Sequence, residues 1–362
     1  MKSKKSIIIV FIIFLALAIT CVAVFAINKY LLITSSNNEN KVNTKEQKPI
    51  VTNITISAVG DCTLANDSKL TDGWNYFNTY LKNEDYGYYF RGVYDVLSND
   101  DLTIANLEGT FTEASQRAIK TFNFKNSKDY VRVLTEGSVE IVNTANNHTY
   151  DFKVQGYEDT IDTLNEANIS YFGYITYKVE EVKGIKIGFA GLNYYDEKNY
   201  DNYKEEVDEA LSYLKAQKVD LIIFTFHWGI EATYKQTDMQ TEVGHYAIDN
   251  GADLVLGHHP HRIQGIELYK DKYIVYSLSN FVFGGHRNPS DKDSFIYQQT
   301  FTFTDNLLTN NSVNIVPVRI SGENNLNNYQ PVIADGEEKD NIINKINKNS
   351  VNFRWDYEGI NN

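Results

Sequence analysis

Three of this chain's seven histidines fall within four positions: His258, His259 and His261 in "GADLVLGHHPHRIQGIE", Gly251–Glu267. A buried strand needs no such cluster and a solvated loop gains little from one, so metal binding is the first chemistry to consider. Alternate residues of an extended segment point the same way. His259 and His261 are therefore expected to converge as ligands, with His258 pointing away as support. Pro260 between them removes a backbone donor and stiffens the turn. Other donors recur along the chain: Asp61 in "AVGDCTL", Glu108 in "IANLEGTFT", Asn147 and His148 in "TANNHTYDF", and His227 in "FTFHWGIE". Each has a bland explanation when taken singly. Asp61 and Asn147 suit turns or helix caps, and His227 suits a core position with a satisfied ring. Taken together they form a set of carboxylate, amide and imidazole ligands for a divalent ion such as Mn, Fe or Zn. Such an ion lowers the pKa of bound water and polarises an oxyanion.

Separate elements must bring these residues together. Strand-length apolar runs occur at 53–61, 101–109, 139–148, 185–193, 219–229, 252–259 and 272–284. Several are near-continuous, as in strands covered on both faces. Between them Val154, Tyr157, Ile161 and Leu164 step at helical spacing, as do Val207, Leu211 and Leu214. This alternation predicts a layered α/β domain. Each candidate ligand falls at the C-terminal end of a predicted strand or in the loop after it, which is where α/β sheets bind ligands. Towards the end, "FIYQQTFTFTD" and "SVNIVPVRIS" are expected to be antiparallel strands closing a second sheet. Ile342, Ile343 and Ile346 suggest one short helix.

The net charge of −13 makes the chain a poor partner for nucleic acid, whose phosphates are bound by basic surfaces. With only Cys21 and Cys62 present there is no cysteine-rich zinc motif, and any metal site must use His, Asp, Glu and Asn. The N-terminus has Lys2, Lys4 and Lys5 and then an uncharged run from Ser6 to Asn28. Roughly 20 such residues span a bilayer. The expected organisation is a cytoplasmic stub and membrane anchor over 1–33, a flexible linker over 34–50, a main domain over 51–320 and a C-terminal extension over 321–362. The flanking lysines place the main domain outside the cell.

The ordered stretches "AVGDCTL", "IANLEGTFT", "KTFNF", "TANNHTYDF", "FTFHWGIE", "GADLVLGHHPHRIQGIE" and "YSLSNFVFG" resemble the CapA-type poly-γ-glutamate capsule synthesis proteins, a branch of the metallophosphoesterase fold. The resemblance implies a four-layer α/β sandwich with a metal centre at the strand ends. By position, Asp61, Glu108, Asn147, His227, His259 and His261 would be metal ligands. Asn147 and His148 would stand at the reacting centre, with His148 as general acid. Lys120 and Arg262 would hold an anionic substrate. The implied partners are an anionic polymer such as poly-γ-glutamate and the membrane subunits of a polymer synthase. Two departures stand out. Thr63 occupies the place of a histidine in metallophosphoesterases, and Asn106-Leu107-Glu108 replaces a Gly-Asp pair. Three readings follow: a metal-dependent enzyme of the polymer system, a non-catalytic polymer-binding accessory, and a surface phosphoesterase unrelated to capsule.

Overall fold

The structure, a computed structural model, describes residues 16, 18–34, 48–67, 69 and 76–356. It divides into two compact units, Met1–Pro49 and Ile50–Asn362. In the first unit residues 18–34 are helical. Much of the run expected to anchor the chain, residues 6–15 and 17, lies outside the described residues. Among the described residues no helix is long and apolar enough to cross a membrane.

In the second unit the apolar runs form strands. The first are β1 (Val51–Thr63), β2 (Asn66–Asp67), β3 (Leu102–Leu107), β4 (Thr110–Phe111), β5 (Phe124–Asn126), β6 (Ile141–Asn143) and β7 (Ser170–Phe172). Next come β8 (Lys178–Val182), β9 (Ile185–Tyr195), β10 (Leu221–Gly229), β11 (Leu254–His258), β12 (Ile266–Tyr269) and β13 (Lys272–Val275). The last are β14 (Asn280–Phe283), β15 (Asp293–Thr304), β16 (Leu307–Arg319) and β17 (Val332–Ile333). The longer helices are α1 (Lys153–Glu166), α2 (Tyr203–Ala216), α3 (Asp238–Asp249) and α4 (Gly336–Asn349).

One sheet runs β17-β16-β15-β1-β3-β6-β7, with β14 also paired to β1, and a second runs β12-β13-β11-β10-β9-β8. Within the first, β1, β3, β6 and β7 are parallel. Within the second, β9, β10, β11 and β13 are parallel. Alternation along the strands makes the layers. Ile54, Ile56, Leu102 and Ile104 from one sheet meet Leu221, Ile223, Leu254 and Leu256 from the other in a shared core. The opposite face of the first sheet, with Ala105, Leu107 and Val142, packs on Phe77, Tyr89, Leu134 and Leu164 of α1. The opposite face of the second sheet, with Ile222, Phe224 and Val255, packs on α2 and α3 through Val207, Leu211, Val243 and Ala247. Each such side chain contributes roughly 1.5–3 kcal/mol on burial. The result is the expected mixed α/β sandwich in four layers.

Two expectations change, and the expected C-terminal helix is present. The hairpin β15–β16 is antiparallel but joins the first sheet, where β15 pairs antiparallel to β1. Its residues Phe295, Tyr297, Phe301 and Phe303 alternate into the inter-sheet core, so the β1 edge gives them the larger burial. The run 272–284 is two strands, because residues 276–279 carry the chain from the second sheet to the first. That crossover passes close to two glycines: a Cβ on Gly60 would lie 2.1 Å from the Ser279 carbonyl oxygen, and one on Gly257 would lie 2.0 Å from that of Tyr276. The C-terminal residues Ile342, Ile343 and Ile346 lie on α4 and are buried in the inter-sheet core.

Candidate metal centre

The inward face of each central strand changes character along its length. On β1 the apolar residues Ile54, Ile56 and Ala58 give way to Asp61, after a register shift between Ala58 and Asp61. On β3 Leu102 and Ile104 give way to Asn106, and Glu108 follows the strand. On β10 Leu221 and Ile223 give way to His227, and on β11 Leu254 and Leu256 give way to His258. Because these strands are parallel within each sheet, the polar ends gather at one edge of the core.

Glu108 lies at the middle of this cluster. Its Oε1 is buried and accepts no hydrogen bond among the described residues. Around it stand three imidazole nitrogens: His227 Nε2 at 3.8 Å, His261 Nε2 at 3.8 Å and His148 Nε2 at 3.9 Å. These are too far for hydrogen bonds. A buried carboxylate oxygen left unpaired costs more than the roughly 1–3 kcal/mol of a neutral group. The other oxygen, Oε2, accepts from Thr63 Oγ1 at 3.2 Å. Asp61 Oδ2 lies 3.1 Å from His261 Nδ1, and its Oδ1 accepts from Asn106 Nδ2 at 2.8 Å and faces His258 Nδ1 at 3.2 Å. His227 Nε2 faces Asn147 Oδ1 at 3.0 Å and His259 Nδ1 at 3.1 Å. All six sequence-predicted ligands therefore meet in one cluster.

The donor set fits a divalent cation. Ligand atoms of Asp61, Glu108 and His261 lie within 4.8 Å of one another, and so do those of Glu231, His259 and His261. An ion there would satisfy the orphaned Oε1 and the nitrogens facing it. The electrostatics agree. Burial, with Asp61 nearby, pushes the Glu108 carboxyl up to about 8. His261 rises to about 10 against its burial, because Glu108 and Asp61 face it. Asp61 is held well below its ordinary value in spite of burial, by His258 and His261. Burial drives His259 down to about 4 and lowers His227 and His148. In effect, the centre stores protons where a cation would sit.

Two positional arguments need correction. His259 and His261 do not sit on an extended segment: β11 ends at His258, and their φ angles are +97° and +52°. They converge through a left-handed turn, with ring centroids 5.9 Å apart. His258 likewise does not point away from the cluster, since its position on β11 turns it to Asp61.

Lys120 reaches Asn147 O at 2.8 Å, Asp151 Oδ1 at 2.7 Å and His148 Nδ1 at 3.1 Å, so its charge is already engaged within the protein. Arg262 donates to His261 O at 2.7 Å and lines a cleft of about 300 Å³ with His261, Asn280 and Glu231. Sequence reasoning missed four contributors. Asp151 is buried and takes the His148 Nδ1 hydrogen bond at 2.7 Å. Asn280 Oδ1 lies 2.8 Å from His261 Nδ1, and Asp196 Oδ1 lies 3.3 Å from His259 Nε2. Glu231 is the fourth. Only Asp151 carried a signal, its spacing of three after His148.

Fold and site together define a layered α/β protein with a carboxylate–imidazole cluster at its strand ends. A family described as "Bacterial capsule synthesis protein PGA_cap" matches residues 55–285, more than half of the 362 residues, and the chain belongs to that family. It is 31% identical to the capsule biosynthesis protein CapA of Bacillus anthracis over 221 residues, 54% of this chain and 54% of that protein, so the match spans about half of that relative. It is 28% identical to the PGA biosynthesis protein CapA of Bacillus subtilis (strain 168) over 294 residues, 74% of this chain and 73% of that protein. Among solved structures, a phosphatase from Mycoplasma pneumoniae superposes with a TM-score of 0.43 at 14% identity, over 74% of this chain and 95% of that chain.

Proposed function

We propose that this protein works at the cell surface in the synthesis, export or attachment of an anionic capsule polymer of the poly-γ-glutamate class. It would be held there by an N-terminal membrane anchor and act through a divalent-metal centre between its two sheets. The reading rests chiefly on the orphaned Glu108 Oε1 ringed by imidazoles, which lies inside the segment shared with capsule synthesis proteins. The capsule comes from the name of the Bacillus anthracis relative, and the PGA polymer from that of the Bacillus subtilis relative.

Asp61, Glu108 and His261 would hold one cation, with Asn147, His227 and His259 grouped on the other side of Glu108. When bound, a divalent ion lowers the pKa of water and polarises a substrate oxygen. The chain's own groups do the rest. Asp151 accepts a hydrogen bond from His148 Nδ1–H, which leaves an unprotonated Nε2 facing the centre. Burial keeps that ring neutral, so Nε2 can take a proton and then give it to a leaving group. Lys120 stiffens this pair through Asp151. Arg262, at the rim, would hold a carboxylate of the polymer. A chain of net charge −13 repels a polyanion overall, and a cationic cleft offsets that locally.

One observation favours the non-catalytic reading. Thr63, in place of an imidazole, spends its hydroxyl on Glu108. The test is complementation of a deletion strain with wild type, Glu108→Gln and His148→Ala, reading surface polymer. Glu108→Gln is expected to fail. His148→Ala fails if the centre is catalytic and succeeds if it only binds. Full polymer from Glu108→Gln would overturn the proposal.

A further inference from the structure

We propose that Glu231 is a metal ligand, forming with His259 and His261 an outer cation position on the solvent side of the cluster. This rests on the reading of the cleft as a metal centre. A carboxylate oxygen of Glu231 and one ring nitrogen from each histidine lie within 4.8 Å of one another. His261 belongs both to this group and to the inner one with Asp61 and Glu108, so it stands between the two positions and, as a neutral ring, would ligate one of them. Glu231 lines the cleft beside His261, Arg262 and Asn280.

Its position is built rather than incidental. Glu231 lies two residues beyond β10, and the next residue, Ala232, donates its backbone N–H to Pro260 O at 2.9 Å. That bond ties the Glu231 loop to the turn between His259 and His261. Ala232 takes a φ of +60° to make it, which an L-residue adopts only at a cost. No hydrogen bond or ion pair engages the Glu231 carboxylate among the described residues, although imidazoles surround it. Independently, the buried Glu108 Oε1 is unpartnered in the inner group, which has His261 in common with this one.

Charge shows what the outer position would do. Asp61, Glu108 and Glu231 bring three negative charges, and ligating imidazoles are neutral. One divalent cation leaves the centre negative, which suits no anionic polymer. Two leave it positive. Glu231 would thus let the centre hold the second cation and accept a carboxylate, even though Thr63 supplies no imidazole.

The test uses the full-length chain in detergent, stripped of metal and titrated with Mn(II) and Co(II) by calorimetry and visible absorption. Wild type is expected to bind two equivalents. Glu231→Gln should keep the inner one and bind the outer at least about 10-fold more weakly, the scale of losing even an outer-sphere partner. Glu231→Asp should recover part of that loss. Because Glu231 is exposed and makes no hydrogen bond among the described residues, metal-free Glu231→Gln should fold and melt cooperatively as wild type does. A general-base role would leave both equivalents in place, so unchanged binding by Glu231→Gln overturns the assignment while the centre stands. A wild-type chain that binds neither ion would overturn the metal centre as well.

Discussion

The two sheets bring unlike halves to the cluster. The first sheet and its loops supply oxygen: Asp61, Glu108 and Asn147. The second supplies nitrogen: His227, His259 and His261. On the oxygen side Asp61 stands on β1 opposite Asn106, after a register shift in the parallel ladder, Glu108 directly follows β3, and Asn147 lies in the loop after β6. On the nitrogen side only His227 stands on a strand, while His259 and His261 sit in left-handed turn conformations. Such residues cost on the order of 1–3 kcal/mol each. The difference shows where precision comes from. The carboxylates reach the cluster from strand ends without left-handed backbone, whereas His259 and His261 are aimed through left-handed turns whose strain the inter-sheet core must offset.

The sharpest way to break this comparison is at Glu108, whose unpartnered Oε1 faces three imidazole nitrogens. Glu108→Gln is expected to weaken Mn(II) binding by about 100-fold or more, since partners that only orient ligands are already worth about 10–100-fold. Calorimetry on the stripped chain measures it. If His259→Ala costs more than Glu108→Gln, the oxygen half is not the anchor. One step further out, Asp151→Asn should cost about 10-fold in polymer output while binding metal normally, because it loosens the His148 ring and the Lys120 and Phe124 N–H contacts but touches none of the proposed ligands. Unchanged output would place His148 outside the reaction.

The oxygen half was legible in the sequence because it obeys strand logic. The apolar runs leading to Asp61 and Glu108 mark the strands, although the register shift between Ala58 and Asp61 means that alternation alone does not give the face of Asp61. The nitrogen half was legible only as composition. Three histidines in four positions announced a cluster, but the alternation rule gave the wrong geometry: β11 stops at His258 and the next residues turn. Glu231, Asp196 and Asn280 could not be found at all. Each arrives from a loop or from a strand in the other sheet, and no spacing along the chain encodes that approach. The run 272–284 hid its change of sheet for a similar reason. Its residues are equally apolar on both sides of the crossover, and only the close approach to Gly60 and Gly257 marks it.

Protons offer a subtler test of the same division. In the folded chain Glu108 is raised from 4.5 to about 8 and His261 from 6.5 to about 10. Both folded values lie above the unfolded ones, so the folded state holds protons that the unfolded chain releases. Stability therefore falls as pH rises through these windows. His259, lowered to about 4, has the opposite sign and loses stability only as pH drops below 6.5. The metal-free chain should thus melt lower at pH 9 than at pH 6. Mn(II) should raise the melting temperature more at pH 9, because binding replaces the stored protons. A metal-induced shift equal at both pH values would mean that Glu108 and His261 do not hold them.

The smallest effect isolates the strain itself. At His259 the φ of +97° lies where glycine is at ease and other residues are not. His259→Ala and His259→Gly both delete the ring, so both lose the ligand equally. They differ only in backbone tolerance. His259→Gly should be the more stable of the two by about 1 kcal/mol in urea denaturation, the left-handed penalty less the entropy glycine adds to the unfolded chain. Lys153 provides the reference outside the cluster: its φ is +60°, and Lys153→Gly should gain a similar amount with metal binding unchanged. If both positions respond alike, strain at the imidazole turn is ordinary turn strain that the ligands happen to use. If only Lys153→Gly gains, the turn at His259 is held by its surroundings whatever residue occupies it. The nitrogen half would then be as firmly built as the oxygen half.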